Sequence, residues 1–280
     1  MDWEPGDWKK YQPKEHGACG LVARFRKDTL GGEGGTYGVL RRTLDSMSCL
    51  QQRGGSIQTD RGTDGDGAGV MTGIPPQIVA EDLQQAGLNR SLAPVTGLGV
   101  FFLMPGGPGD RIQKIDQILR DEGLDVLYNR HVPTQPDALG PQAQKQQPRV
   151  VRFGILFRDD QRLEPELLRA RVRIEKEIET VHVVSLSRDS LVYKVMGTGK
   201  TLKRFYPELR NSGFKTPFAI GHIRMSTNTM PDFRLAHPYG LLVHNGEINT
   251  IDRLIRRALS LGIPLPEEPS DSMVMDRVMH

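Results

Sequence analysis

EHGACGLVARF, residues 15–25, sets a lone cysteine between Ala18 and Gly20, directly ahead of an apolar run. Residues 20–25 read as a strand, so the thiol stands at a strand's start. By itself this stretch is open to two readings. A free cysteine often behaves as a small buried hydrophobe. A thiol flanked by two residues with almost no side chain also suits a nucleophile that a substrate must approach. The rest of the chain has to separate them.

Working outward, a glycine-rich loop (TLGGEGGTYG, 29–38) leads to helical spacing from about Val39 to Gln51, with Leu40, Leu44, Met47 and Leu50 on one side. Cys49 falls on that helix and is expected in the core. The stretch RGGSIQTDRGTDGDGAGV (53–70) reads as a loop feeding a strand at VMTGIP (70–75). Further strands are expected at GLGVFFLMP (97–105) and VVRFGILF (150–157), separated by a polar, Pro/Gln-rich surface connection, HVPTQPDALGPQAQKQQP (131–148). Residues 164–179 form a charged amphipathic helix whose charges are expected on a solvated face. HVVSLS (182–187), SLVYKV (190–195), FAIGHIR (218–224) and GLLVHNG (240–246) then alternate as strands, in hairpin-like pairs. The pattern is mixed α and β.

Bulk properties exclude several classes. Among 280 residues, Lys+Arg 37 against Asp+Glu 34 gives a formal charge of +3, and no basic tract stands out, so no nucleic-acid partner is expected. Two cysteines, Cys19 and Cys49, give neither a disulfide framework nor metal-type spacing, which implies a reducing, cytoplasmic setting and no metal. The first 18 residues lack an apolar signal core. No run approaches the ~18 apolar residues of a membrane span.

Among the motifs, MGTGKT (196–201) resembles a phosphate loop only superficially. GxxxxGK[ST] needs glycine where Lys194 stands, so a hairpin turn is expected instead. GDGAGV (65–70) lacks the GxGxxG order and precedes a strand, which argues against a dinucleotide site. HNGEIN (244–249) follows an apolar run and precedes a helical pattern, so Asn245 and Gly246 are expected where a strand turns sharply. A side-chain amide beside a glycine N–H is the donor pair an oxyanion hole needs; a plain Asn-Gly turn is the alternative. In GHIRMSTNT, Arg224 ends a strand ahead of Ser226, Thr227 and Asn228. A fixed guanidinium fork among hydroxyls suits a carboxylate, or is simply a surface arginine after an edge strand. PSDSMVMD puts Asp271 in a helix N-cap box, where capping alone would account for it.

The order of these elements carries more than any one of them. Cys19-Gly20, Arg53-Gly54, Arg224-x-Ser226-Thr227, His244-Asn245-Gly246-Glu247-Ile248 and Ser270-Asp271-Ser272 together resemble the class II glutamine amidotransferase domain, an N-terminal-nucleophile hydrolase. LQQRGG, TDGDGAGVMTGIP, RHVPTQPDALGPQA, HVVSLSRDSLVYK, FYPELRN and IRMSTNTMPDFRLAHP are similar to the glutaminase region of glutamate synthases. The resemblance implies an α+β fold, a four-layer αββα sandwich. It also implies an extension, residues 1–18, removed so that the α-amine of Cys19 becomes the base, ahead of one domain over 19–280. A free α-amine has a reference pKa of ~7.7–8.0, suited to taking a thiol proton near neutrality.

By the same resemblance Cys19 is the nucleophile, Asn245 and the Gly246 N–H stabilise the oxyanion, Arg224 holds the glutamine α-carboxylate and Asp271 its α-ammonium. Arg53 corresponds to the arginine of the family's His-Arg-Gly element, with Gln52 in place of the usual histidine. The implied reaction is hydrolysis of L-glutamine through a thioester, with ammonia passed to a glutamate synthase-type domain or subunit. Flavin and iron–sulfur cofactors are expected on that partner, and none in this chain. The family's domain continues beyond the Ser-Asp-Ser helix, so a fragment, or a sandwich incomplete at the C-terminus with apolar surface exposed, is expected. Two alternatives remain: the glutaminase part of another class II system such as phosphoribosyl-pyrophosphate amidotransferase, and an uncleaved, non-hydrolytic glutamine-sensing subunit.

Overall fold

The computed structural model describes residues 19–26, 35–60, 62–157, 164–225, 230–246, 248–265 and 269–279. The expected extension (1–18), Ser226, Thr227, Asn228 and Glu247 lie outside them. Two four-stranded antiparallel sheets organise the chain. The first runs β1 (Gly20–Phe25), β10 (Phe218–Ile223), β4 (Ala68–Gly73), β9 (Ser190–Val195). The second runs β6 (Asp125–His131), β7 (Arg149–Leu156), β5 (Thr96–Leu103), β8 (Val181–Ser187).

Sequence explains which strands lie where. β5 is buried at every position and reads TGLGVFFL, the unbroken apolar run of a strand covered on both faces. Its Phe102 belongs to a core cluster with Val70 and Val192 of the first sheet, while neighbouring Phe101 packs with Ile115, Leu119 and Ile174 in a second cluster. The second cluster is supplied by α3 (Arg111–Asp121) and α5 (Glu164–Glu177). Helix α1 (Tyr37–Cys49) turns Leu40, Leu44 and Met47 into the first cluster against β10, and α6 (Gly199–Phe205) joins it. β1 has alternating burial and pairs with β10 at the rim, from Gly20 opposite Ile223 to Phe25 opposite Phe218.

Several expectations change. Cys49 is exposed: it is the last residue of α1 and falls off the buried stripe of Leu40, Leu44 and Met47. The glycine-dense loop contains a two-stranded ladder, β2 (Ser56–Thr59) with β3 (Gly62–Gly65). The 131–148 connection is not a pure surface segment, since Val132, Ala138, Leu139 and Ala143 are buried and α4 (Pro141–Lys145) is held by Asp64 at the Gln142 and Ala143 amides. The expected β8–β9 hairpin does not form, because β8 pairs with β5 and β9 with β4 across a two-residue link. MGTGKT is a strand-to-helix turn rather than a hairpin turn. The Thr198 side chain caps α6 at the Thr201 amide, and Gly197 and Gly199 pack on Gly65 and Met47, leaving no cradle for a phosphate. Residues 240–246 are irregular, not a strand.

Charge is also placed inside. Arg152, fully buried, pairs with Asp82 and Glu208, and Tyr128 and Arg130 reach the same Asp82. On α5, Arg171 and Glu175 are not on a solvated face: they pair with Asp276 and Arg277 of α8 (Asp271–Met279). Burial holds neighbouring Lys194 down at about 7 and His182 at about 4.

Candidate active site

The candidate residues come from five separate places in the chain. Cys19 precedes β1 and is half-buried. Gly20 lies against the turn after α1, where an added Cβ would meet the Leu50 Cβ at 3.3 Å and the Arg53 Cβ at 3.4 Å. Because β1 pairs with β10, Cys19 is carried to the chain leaving β10. There the Met225 amide donates to its Sγ at 3.2 Å.

Arg224, one residue earlier, is 6% exposed; its amide donates to the Gly67 carbonyl at 2.8 Å and its Nη1 to the Asp66 carbonyl at 3.2 Å. Arg53-Gly54 backs the same strand end, since a Cβ on Gly54 would lie 2.4 Å from Ile223 Cγ2 and 2.9 Å from the Arg224 carbonyl oxygen. Glycine at 54 is therefore a matter of room. The Arg53 side chain is on the exposed side of this turn.

From the far end of the sequence, Asn245 Nδ2 donates to the Cys19 carbonyl at 2.8 Å. Gly246 has φ +126°, a backbone region that favours glycine. The sharp turn expected at Asn-Gly is present, though no strand leads into it. Three residues on, the Ile248 amide donates to Asp271 Oδ2 at 2.8 Å. Ser270, not Asp271, caps α8, because its Oγ accepts from the Met273 amide at 3.2 Å. Asp271 instead occupies the first helical position, with Oδ1 accepting from the Ser272 amide at 2.6 Å and the Ser272 hydroxyl at 3.1 Å. Cys19, Arg53, Arg224, Asn245 and Gly246 are thus linked by direct or one-residue contacts, and Asp271 joins them through Ile248, two residues beyond Gly246.

Other residues join that neighbourhood, two of them, His244 and Ser272, from the quoted motifs but without an assigned role. Ser272 Oγ lies 3.4 Å from His244 Nδ1; since it donates to Asp271, it must accept from the imidazole. Behind the site the His222 and His237 rings stack at 4.5 Å, and Tyr239 follows at 4.6 Å. Burial pushes His222 down to about 4, against the His244 backbone and with help from the Arg224 charge, and lowers His237 as well. These rings are neutral near pH 7. Asp276 accepts from the Leu241 and Leu242 amides. Its signal was an acid inside the apolar run MVMDRVM. Among the described residues no three His, Cys, Asp or Glu side chains cluster as metal ligands, and no helix is long and apolar enough to cross a membrane.

A thiol under a backbone donor, a side-chain amide against the thiol's own residue, a buried guanidinium and a carboxylate are thus gathered from distant parts of the chain. The chain belongs to the class-II glutamine amidotransferases, whose sequence pattern matches residues 29–260. That match starts after Cys19 and stops before Asp271. The chain is 36% identical over 253 residues to ferredoxin-dependent glutamate synthase 2, chloroplastic, of Arabidopsis thaliana, covering 85% of this chain and 15% of that protein. To ferredoxin-dependent glutamate synthase 2 of Synechocystis sp. it is 36% identical over 247 residues, and to the ferredoxin-dependent glutamate synthase of Pyropia yezoensis 34% over 254. It spans about 15–16% of the length of these relatives.

Proposed function

We propose that this chain is a glutaminase domain that hydrolyses L-glutamine to glutamate and ammonia, and that the ammonia serves a glutamate synthase-type domain or subunit. In this reading residues 1–18 are removed and the α-amine of Cys19 accepts the thiol proton. The thiolate attacks the glutamine side-chain carbonyl carbon. Asn245 and the Gly246 N–H receive the oxyanion. Collapse returns the proton to the leaving nitrogen, releasing ammonia and a γ-glutamyl thioester. Water, deprotonated by the same amine, then cleaves the thioester to glutamate and free thiol. Arg224 binds the substrate α-carboxylate, Asp271 its α-ammonium, and Arg53 supports the nucleophile's end of the site.

The observation that carries this reading is the 2.8 Å hydrogen bond from Asn245 to the Cys19 carbonyl, across 226 residues of sequence. It brings the Asn245 amide against the residue whose thiol would attack, which supports the reading. We also assign the fold to the four-layer αββα sandwich; the two core clusters, one between the sheets and α1 and one between the second sheet and α3 and α5, support it. The proposed hydrolysis needs no cofactor, and flavin and iron–sulfur chemistry would belong to the partner. The test is to express the chain, determine its N-terminus by intact mass, and measure glutamate and ammonia released from glutamine. A protein that begins at Cys19, is folded and releases neither would refute the proposal; one that retains residues 1–18 and binds glutamine without hydrolysis would be a sensor.

A further inference from the structure

The segment bearing Asn245 has no sheet to hold it. Residues 240–246 are irregular, and Leu241 is 54% exposed. Besides the Asn245 side chain on the Cys19 carbonyl and the Tyr239 amide on the Leu242 carbonyl, helix α8 holds them. Near one end of the segment, Asp276 Oδ1 accepts both the Leu241 amide at 2.7 Å and the Leu242 amide at 3.0 Å. Near the other, Asp271 Oδ2 accepts the Ile248 amide at 2.8 Å. Two aspartates on one helix therefore bracket the Asn245-Gly246 turn.

Asp276 is fully buried, and its other oxygen accepts from Arg171 Nη2 of α5 at 2.9 Å. A carboxylate in that position is expensive to bury. A leucine would serve if only packing were needed. Its two amide acceptor contacts explain an acid there, and the arginine answers its charge.

We propose that Asp276 is a positioning residue: it sets the backbone of residues 241–242 and, through them, the distance of Asn245 from Cys19, while Arg171 fixes Asp276 to α5. The inference rests on the reading of Asn245 and Asp271 as glutamine-binding groups. It extends the site to a carboxylate that touches neither substrate nor nucleophile.

Because Asp276→Ala leaves Arg171 buried without this partner and can unfold the chain, two paired variants carry the test. Arg171→Gln with Asp276→Asn keeps an acceptor for both amides and buries no charge. Arg171→Met with Asp276→Leu keeps the volume and removes the acceptor. Amide exchange at Leu241 and Leu242 is followed by NMR without substrate, and kcat and KM for glutamine are measured on the same proteins. In the Met/Leu variant both amides should exchange about 10-fold faster or more, as expected for loss of a bond to a charged acceptor. Its kcat should fall and its KM rise together. The Gln/Asn variant should stay close to wild type in all three. Equal behaviour of the two folded variants would overturn the proposal. A wild-type protein that protects both amides yet releases no ammonia would instead sink the functional reading and leave the anchoring intact.

Discussion

Gly54→Ala adds one methyl group, and the structure says where it goes. The new Cβ would sit 2.4 Å from Ile223 Cγ2 and 2.9 Å from the Arg224 carbonyl oxygen. Carbon atoms pack at about 3.5 Å or more, so one side of the contact must retreat by about 1 Å. Ile223 is 2% exposed and paired with both Gly20 and Ala68, so it has nowhere to turn. The end of β10 moves instead, taking Arg224 and the Met225 amide that donates to Cys19 Sγ. Overpacking of this kind costs about 1–3 kcal/mol of stability. A 1 Å misplacement of reacting groups can cost about 10²-fold in rate. The expected result is a folded protein with a slightly lower melting temperature and kcat/KM for glutamine reduced about 100-fold. Thermal unfolding and steady-state ammonia release measure the two halves. A Gly54→Ala enzyme with wild-type kcat/KM would refute the claim that this turn sets the position of β10's end.

Cys19→Ser should abolish ammonia release with the fold intact, while Cys49→Ser, exposed on α1, should leave it unchanged; matching losses in both would refute the assignment of the nucleophile. Asn245→Ala should lower kcat by roughly 10²–10³ with little change in KM, because its donor matters most when charge develops on oxygen; an effect on KM alone would make it a ground-state contact. Asp82→Ala should destabilise the fold by about 3–5 kcal/mol in urea titration, since it leaves fully buried Arg152 short of one carboxylate partner; a loss below about 1 kcal/mol, the scale of a surface pair, would contradict the network. Acid should destabilise the protein from the neutral side. His182 and His222 are held at about 4, below their usual 6.5, so the unfolded chain takes up protons first and stability falls as pH drops from about 6.5 toward 4. Glu175, held at about 2, adds the same trend below about 4.5. A urea midpoint unchanged between pH 7 and 4.5 would contradict this.

Local chemistry was legible in the sequence where a short segment meets its own periodicity. β1, β5, β7 and α1 follow from alternation, unbroken apolar runs and a one-sided stripe. The turn at Gly246 follows from Asn-Gly. Partner choice was less legible. Two strands separated by two residues look like a hairpin, but nothing in HVVSLSRDSLVYKV says that β8 faces β5 and β9 faces β4. Apolar LLV at 241–243 suggested a strand, whereas its amides are taken by Asp276 from a helix not yet reached in the chain. Glu164, Arg169, Lys176 and Glu177 of α5 are exposed as expected, but Arg171 and Glu175 looked equally solvated because their partners, Asp276 and Arg277, lie about a hundred residues on. Long-range pairing of polar groups leaves little periodic trace.

The short link between β8 and β9 has a mechanical consequence. From Ser187 to Ser190 the chain can reach at most about 10–11 Å, and packed sheets stand about 10 Å apart. Ser187 Oγ shortens that tether further by accepting the Asp189 and Ser190 amides at 3.1 and 3.2 Å. Along the edge formed by β9 and β8 the sheets consequently cannot part by more than a few ångströms without unzipping strand ends. That edge is the stiff side of the molecule, and Cys19 is carried at the opposite edge strand of the first sheet, β1, which this tether does not reach.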